Sequence, residues 1–257
     1  MPFANNQGMR IHYQTVGNGG PLILHHGTFG SGPDWIDRGY VEALKSDYQL
    51  ILMDARGHGS SDKPHDPAAY DLSIRASDVV SVLDDLGLPK ADYFGYSMGG
   101  WIGFGLARYA PARFSSFIIG AAHPYAESMQ PYRHRMPESQ EEFAAIMDQW
   151  LGKLLTPPMR ERLLKNDLNA LRALTQDRVS IADVLPSMRM PCLLFVGELD
   201  PRLAPMKECA SALANATLFT LPGYDHITTL WQIDTILPRV KSFLAKAPRQ
   251  QAETADL

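Results

Sequence analysis

The chain of 257 residues has 45% hydrophobic and 20% charged residues and a net charge of -4, a composition suited to one sizeable globular core. That balance leaves no basic footprint for nucleic acid, and no apolar run approaches the roughly 18 residues that span a membrane. The first residues, Met1-Pro2-Phe3-Ala4-Asn5-Asn6-Gln7, lack both a basic start and an apolar stretch, so no secretory signal is visible and a cytoplasmic protein is expected.

Met9 to Thr15 alternates after Gly8 and predicts an early hairpin strand. Pro21 to His26 is a short apolar strand closed by Gly27. Tyr48 to Met53 repeats the pattern and runs into Asp54-Ala55-Arg56-Gly57-His58-Gly59-Ser60-Ser61-Asp62. Ser73 to Leu86 carries Val79, Val82, Leu83 and Leu86 and stops at Gly87, a helix with a glycine terminator. Ala91 to Phe94 reads as the end of a buried strand, leading into Gly95-Tyr96-Ser97-Met98-Gly99. Gly100 to Tyr109 then alternates small and apolar residues at helical spacing, and a strand follows from Phe114 to Ala121.

From 123 to 190 the rhythm changes and no clear strand is readable. Ser139-x-x-Glu142 has the form of a capping box. It precedes Phe143, Ile146, Met147, Trp150, Leu151 and Leu154 at helical spacing. A second helix is predicted from about Met159 to Leu174, after Pro157-Pro158. These helices read as a cap over the sheet edge; the alternative is ordinary crossovers covering the sheet. The sheet pattern resumes at Pro191 to Val196 and ends in Gly197-Glu198-Leu199-Asp200. A helix, a strand from Ala216 to Leu221, the turn Pro222-Gly223-Tyr224-Asp225-His226 and a final amphipathic helix complete the chain. The tail after Ala247 is polar and expected to fray. Cys192 in a strand and Cys209 in a helix predict two separate buried thiols, not a disulfide.

Strands alternating with helices predict βαβ units and a mostly parallel sheet. In such sheets chemistry gathers at the carboxyl ends of the strands, where His26-Gly27, Asp54, Ser97 and His123 should lie. The G-x-S-x-G stretch is the most informative element. A serine between strand and helix sits on a crowded turn, and glycines two residues either side make room for it. A serine hydroxyl needs a base to remove its proton. Histidine suits that role, and a carboxylate is wanted to fix its tautomer. Asp200 and His226 each end a predicted strand or strand turn and follow Ser97 in the order serine, acid, histidine. Glu198 and Asp225 remain alternative acids.

His26-Gly27-Thr28, Asp54-x-Arg56-Gly57-His58-Gly59-x-Ser61, Gly95-x-Ser97-x-Gly99, Gly197-x-x-Asp200 and Asp225-His226 stand in this order. With these landmarks the chain resembles the α/β-hydrolase fold superfamily, in its serine-nucleophile esterase and lactonase branch. The resemblance implies an eight-stranded-type, mostly parallel α/β sheet with helices on both faces and a helical cap. Residues 1–122 and 191–257 would form the core and 123–190 the cap. It also implies Ser97 as nucleophile, Asp200 as acid and His226 as base, with the backbone N–H groups of Thr28 and Met98 as oxyanion hole. The implied activity is hydrolysis of a small carboxylic ester or lactone through an acyl-enzyme. Carbon–carbon bond hydrolysis of dienoate ring-cleavage products, perhydrolysis, amide hydrolysis or non-catalytic small-molecule reception are alternatives on the same fold. A serine nucleophile speaks against dehalogenase and epoxide hydrolase chemistry. The Asp54–Asp62 turn is expected to be structural.

Phe29, Trp35, Trp101, His123 and Trp150 are candidates to line the pocket, although core burial is the commoner use of such residues. His25, His58, His65 and His134 lack metal-ligand spacing and no nucleotide-binding glycine motif is present. No metal or cofactor is expected, the partner is a small ester or lactone, and oligomeric state is left open.

Overall fold

The computed structural model describes residues 2–247; the tail after Ala247 falls outside them. β1 (Phe3–Asn6) and β2 (Met9–Val16) form an antiparallel hairpin whose two-residue turn, Gln7-Gly8, has positive φ at both positions, the backbone such tight hairpins require. β3 (Gly20–His25), the short helices α1 (Asp34–Asp37) and α2 (Tyr40–Leu44), and β4 (Tyr48–Met53) follow. α3 (Leu72–Asp85) then leads to β5 (Ala91–Tyr96), α4 (Met98–Tyr109) and β6 (Phe114–Gly120).

The sheet has eight strands in the order β1-β2-β4-β3-β5-β6-β7-β8, with β7 (Cys192–Gly197) and β8 (Ala216–Leu221) closing one edge. β2 pairs antiparallel with β4, and every pairing from β4 to β8 is parallel. Central strands bury both faces, which is why they read as continuous apolar runs.

The chain leaves β3 toward β4 and leaves β5 toward β6, in opposite directions along the sheet. Right-handed crossovers taken in opposite directions put their helices on opposite faces. Between β3 and β5 the two loops therefore diverge and open a crevice at the carboxyl edge. That crevice receives the loop after His25 and the turn at Ser97.

Between β6 and β7 lie α5 (Gln130–Arg133), α6 (Gln140–Leu151), α7 (Pro157–Leu163) and α8 (Leu168–Leu174). The sole strand-like feature described there is an antiparallel bridge between Glu127 and Arg178, closed by N–H to carbonyl bonds of 3.1 and 2.9 Å. The start of α6 is capped as expected: Ser139 Oγ accepts from the Glu142 N–H at 3.1 Å. Glu142 reaches back one residue further than a capping box requires, to the Glu138 N–H. α6 stops at Gly152, φ +49°, so Leu154 lies in a short 3₁₀ turn.

The single helix predicted from Met159 to Leu174 is two helices. Asp167 turns its carboxylate onto the Asn169 and Ala170 N–H groups at 2.9 and 3.0 Å and starts α8 afresh. Asp competes with the helical backbone in this way and favours caps over helix interiors. After β7, α9 (Leu203–Ala212) precedes β8, and α10 (Ile233–Lys246) ends the described chain. Cys192 and Cys209 are both buried and unbridged.

Candidate active site

Ser97 sits between β5 and α4 with φ +54° and ψ -111°. Such a backbone costs a residue with a Cβ roughly 1–3 kcal/mol, so the surroundings must impose it. They do so by close approach. A Cβ on Gly95 would collide with the Gly99 carbonyl, and one on Gly99 with the His25 carbonyl. The Ser97 N–H donates to the Gly120 carbonyl of β6 at 2.8 Å, tying the turn to the neighbouring strand.

The Ser97 Oγ lies 2.8 Å from His226 Nε2, and His226 Nδ1 lies 2.6 Å from an Asp200 carboxylate oxygen. With Nδ1–H donated to Asp200, Nε2 is the free acceptor for the serine proton. The Asp200 side chain is fully buried. Burial works to raise its pKa, but the hydrogen bond and charge of His226, helped by the Arg202 N–H and guanidinium, hold the carboxyl below its usual range. Glu198, in contrast, accepts from the Gly223 N–H, and Asp225 caps the Ile227 and Thr228 N–H groups of its own turn. Of the three acids, Asp200 is the one brought against the imidazole.

Two residues outside the expected set hold this arrangement. Tyr96 donates its hydroxyl to the His226 carbonyl at 2.8 Å and lays its ring against the imidazole. Arg202 gives its N–H to Asp200 at 2.9 Å and pairs with Glu127 at 2.5 Å. Its guanidinium also stands 3.3 Å from His226 Nδ1, a contact of charge and not a hydrogen bond once Nδ1–H is donated to Asp200. Tyr96 occupies a variable position of the G-x-S-x-G pattern, and Arg202 follows Asp200 by two, so neither carries a sequence signal of its own.

Thr28 lies across the crevice from Met98. The Gly30 N–H closes a turn onto the Gly27 carbonyl at 3.1 Å, with Phe29 at φ +71°. His26 braces that turn. Its Nδ1 lies 2.7 Å from the Gly27 carbonyl, and its Nε2 accepts from the Ala55 N–H at 3.0 Å. Burial lowers the His26 pKa, so the ring stays neutral, as one donor and one acceptor require. Met98 is the first residue of α4, where N–H groups have no helical partner and the helix dipole is positive. Thr28 and Met98 line one cavity of about 380 Å³ together with Trp101, Arg75 and Arg178.

The candidate pocket residues divide. Trp35 is buried between Tyr40 and Phe94 and lines neither cavity described here. That expectation is corrected: α1 turns the indole inward, to aromatic partners richer than any pocket wall. Phe29 packs its ring on Phe143 and Trp150 of α6. Trp150 is 40% exposed and outside the core, and like His123 it lines neither cavity. His123 is buried beside Tyr125, and burial lowers its pKa, with Glu127 and Arg202 among the charges it feels.

The Asp54–Asp62 turn spends its polar groups internally. Asp54 binds His12 and accepts the Gly32 and Ser60 N–H groups, each at 2.8 Å, while Arg56 forms a buried pair with Asp78. Among the described residues no group of three or more His, Cys, Asp or Glu is arranged to hold a metal ion, and no helix is long and apolar enough to cross a membrane.

Residues 20–167 match the family model described as alpha/beta hydrolase fold. A pimeloyl-(acyl-carrier protein) methyl ester esterase of Vibrio parahaemolyticus is 26% identical over 258 residues, covering 91% of this chain and 97% of that one. A 3-oxoadipate enol-lactonase of Acinetobacter baylyi is 28% identical over 215 residues, covering 77% of this chain and 78% of that one. The crystal structure of the enol-lactonase from Burkholderia xenovorans superposes with a TM-score of 0.84 at 23% identity, over 95% of this chain and 100% of that one.

Proposed function

The chain belongs to the alpha/beta hydrolase fold family, and from that premise we propose that it is a serine hydrolase cleaving a small carboxylic ester or lactone. Ser97 attacks the carbonyl carbon while His226 Nε2 takes its proton. Asp200 keeps the imidazole in the accepting tautomer and stabilises the imidazolium that forms. The Thr28 and Met98 N–H groups receive the oxyanion, worth roughly 3–4 kcal/mol per donor in comparable sites. His226 returns the proton to the leaving oxygen. Water then attacks the acyl-enzyme, with His226 again as base, and releases the acid. This cycle needs only the chain and water.

The observation that carries the proposal is the hydrogen-bonded run Ser97–His226–Asp200, 2.8 and 2.6 Å, met at a serine of positive φ on a helix N-terminus. The relatives named as a methyl ester esterase and an enol-lactonase favour an ester or lactone carbonyl over the carbon–carbon bond alternative. Residues 123–190 act in this proposal as a cap that shapes the acyl pocket. The two buried, unbridged thiols suit a reducing, cytoplasmic setting.

Labelling by a fluorophosphonate tests the activated serine directly. The full chain should label rapidly and the Ser97→Ala protein not at all, with hydrolysis of an activated ester lost in parallel. A folded protein that neither labels nor turns over such an ester would be a receptor on this fold.

A further inference from the structure

Arg75 of α3 is buried, and its hydrogen bonds end on the carbonyls of Tyr70 and Leu174 at 2.8 and 2.9 Å. Its guanidinium carbon stands 5.1 Å from the Tyr70 ring and 5.6 Å from the Trp101 ring. Among the described residues no carboxylate lies within ion-pair distance of it; Asp78, whose charge it feels, is committed to Arg56. Arg178 is also buried and lies over the same indole at 4.8 Å. It pairs with Glu127, but Glu127 is shared with Arg202. The Trp101 Nε1–H is buried without a partner.

Around this indole Arg75 and Arg178 have one ion-paired carboxylate between them, the partly buried Glu127, and Glu127 also pairs with Arg202, whose neighbouring acid Asp200 serves His226. A buried cation is normally paired, because desolvation is costly and carbonyl oxygens recover part of it alone. Burial and the neighbouring charge of Arg178 draw Arg75 down to about 9 and burial draws Arg178 to about 10, so both remain cationic at neutral pH. Arg75, Arg178 and Trp101 line the same cavity as Thr28 and Met98. Two acids also line it: Asp71 is exposed, and Asp177 is half exposed and bound to Arg133 and the Met129 N–H.

We infer that the substrate carries a carboxylate remote from its scissile bond, and that Arg75, with Arg178 beside it on the Trp101 ring, receives that carboxylate. The substrate class is then a half-ester of a dicarboxylic acid, or a lactone bearing a side-chain carboxylate. A carboxylate matches the single uncompensated charge and the planar fork of a guanidinium; a dianionic phosphate would leave an excess of negative charge. This inference rests on the serine-hydrolase proposal for the turnover it predicts, though not for the binding.

The test compares mono-p-nitrophenyl glutarate with p-nitrophenyl valerate, which differ by a carboxylate in place of the terminal methyl. The unaltered protein should prefer the glutarate by at least about tenfold in kcat/KM, expressed in KM. Free glutarate should inhibit valerate turnover competitively, more weakly at high salt, and neutral glutaramide should not. Arg75→Met should lower the glutarate-to-valerate ratio roughly 100-fold, the scale of removing one partner of a buried charge pair, and Arg75→Lys should restore part of it. A merely structural Arg75 would depress both esters together.

An unaltered protein that turns over valerate through Ser97 yet shows no glutarate preference and no glutarate inhibition overturns the carboxylate site and spares the hydrolase. If neither ester is turned over, calorimetry of glutarate on the full chain decides. Arg75-dependent binding keeps the anion site while the hydrolase proposal falls, and no binding at millimolar glutarate overturns both.

Discussion

The sheet and the 123–190 segment share one core but are packed into it differently. In the sheet, central strands bury both faces, glycines admit backbone against backbone, and Leu22, Ile23, Tyr93, Phe94, Phe117 and Phe195 are fully buried. The segment has short helices and few wholly buried anchors, among them Phe143 and Leu171. It packs Phe143, Met147, Leu171, Leu174, Leu185 and Met188 into the same core as the sheet, and polar bonds fasten it besides: Asn166 to the Phe29 carbonyl at 2.9 Å, Arg133 to the Thr175 carbonyl at 3.0 Å, and Glu127 between two arginines. The groups proposed to react come from the first region; of those proposed to choose the substrate, Arg178 and Trp150 come from the second, while Arg75 and Trp101 come from α3 and α4 beside the sheet.

If that division is right, sheet-edge substitutions should lower the rate on every substrate, and substitutions in the segment should change ratios between substrates. The largest effect is expected from Ser97→Ala, a loss on the order of 10⁵-fold or more in kcat with the melting temperature held within a few degrees. Retention of a tenth of the activity would remove Ser97 from the mechanism. Next comes Asp200→Asn, expected to cost about 10⁴-fold through the wrong imidazole tautomer. Asp225→Asn should lose less than about tenfold and chiefly destabilise its turn, by roughly 1 kcal/mol. The reverse ranking would assign the acid to Asp225.

A stability prediction sharpens the same contrast. His25 and His58 lie at the sheet edge, fully enclosed, and burial leads the causes that hold both pKa values well below 6.5. Unfolded, these rings bind protons from about pH 6.5 downward; folded, they do not, so the stability they contribute is present above pH 6.5 and lost as pH falls toward their folded values. Each group contributes a slope of about 1.4 kcal/mol per pH unit in that window. Thermal melts at pH 7.5 and 5.5 should therefore separate clearly, and superimposed melts would mean that these histidines protonate in place.

The smallest effect is assigned to Trp150 of α6. Trp150→Ala removes a half-exposed ring that touches Phe29, so a small acetate ester should keep most of its kcat while a bulky ester loses several-fold in kcat/KM. Equal losses on both, with a large drop in melting temperature, would place Trp150 in the packing of α6 and blur the division.

Legibility followed the same line. The strands around Leu22, Ile51, Phe94 and Leu194 could be read because their burial is dictated by their own periodicity, and Ser97, Asp200 and His226 because each terminates such a strand or its turn. The long helix read across 159–174 failed at Asn166 and Asp167. There a side chain capping its own backbone and an amide committed to Phe29 outweighed helical spacing. Sequence gives an aromatic no direction, which is why Trp35 reads as a pocket candidate and proves to be core. Arg75, Trp101 and Arg178 meet only through the placement of α3, α4 and the Glu127–Arg178 bridge, and no spacing in the chain announces it.

That bridge has an evolutionary consequence. Glu127 and Arg178 are 51 residues apart yet joined by backbone hydrogen bonds and a side-chain pair. The excursion between them is thus a loop closed at its neck. Doubling the length of such a loop costs only about 0.6 kcal/mol of closure entropy. Length changes at exposed positions inside the neck are therefore cheap, provided that Glu127 and Arg178 survive and the side chains packed into the core, such as Phe143 and Leu171, keep their places. Chimaeras cut at this neck would exchange the segment while leaving the sheet edge, Arg75 and Trp101 in place.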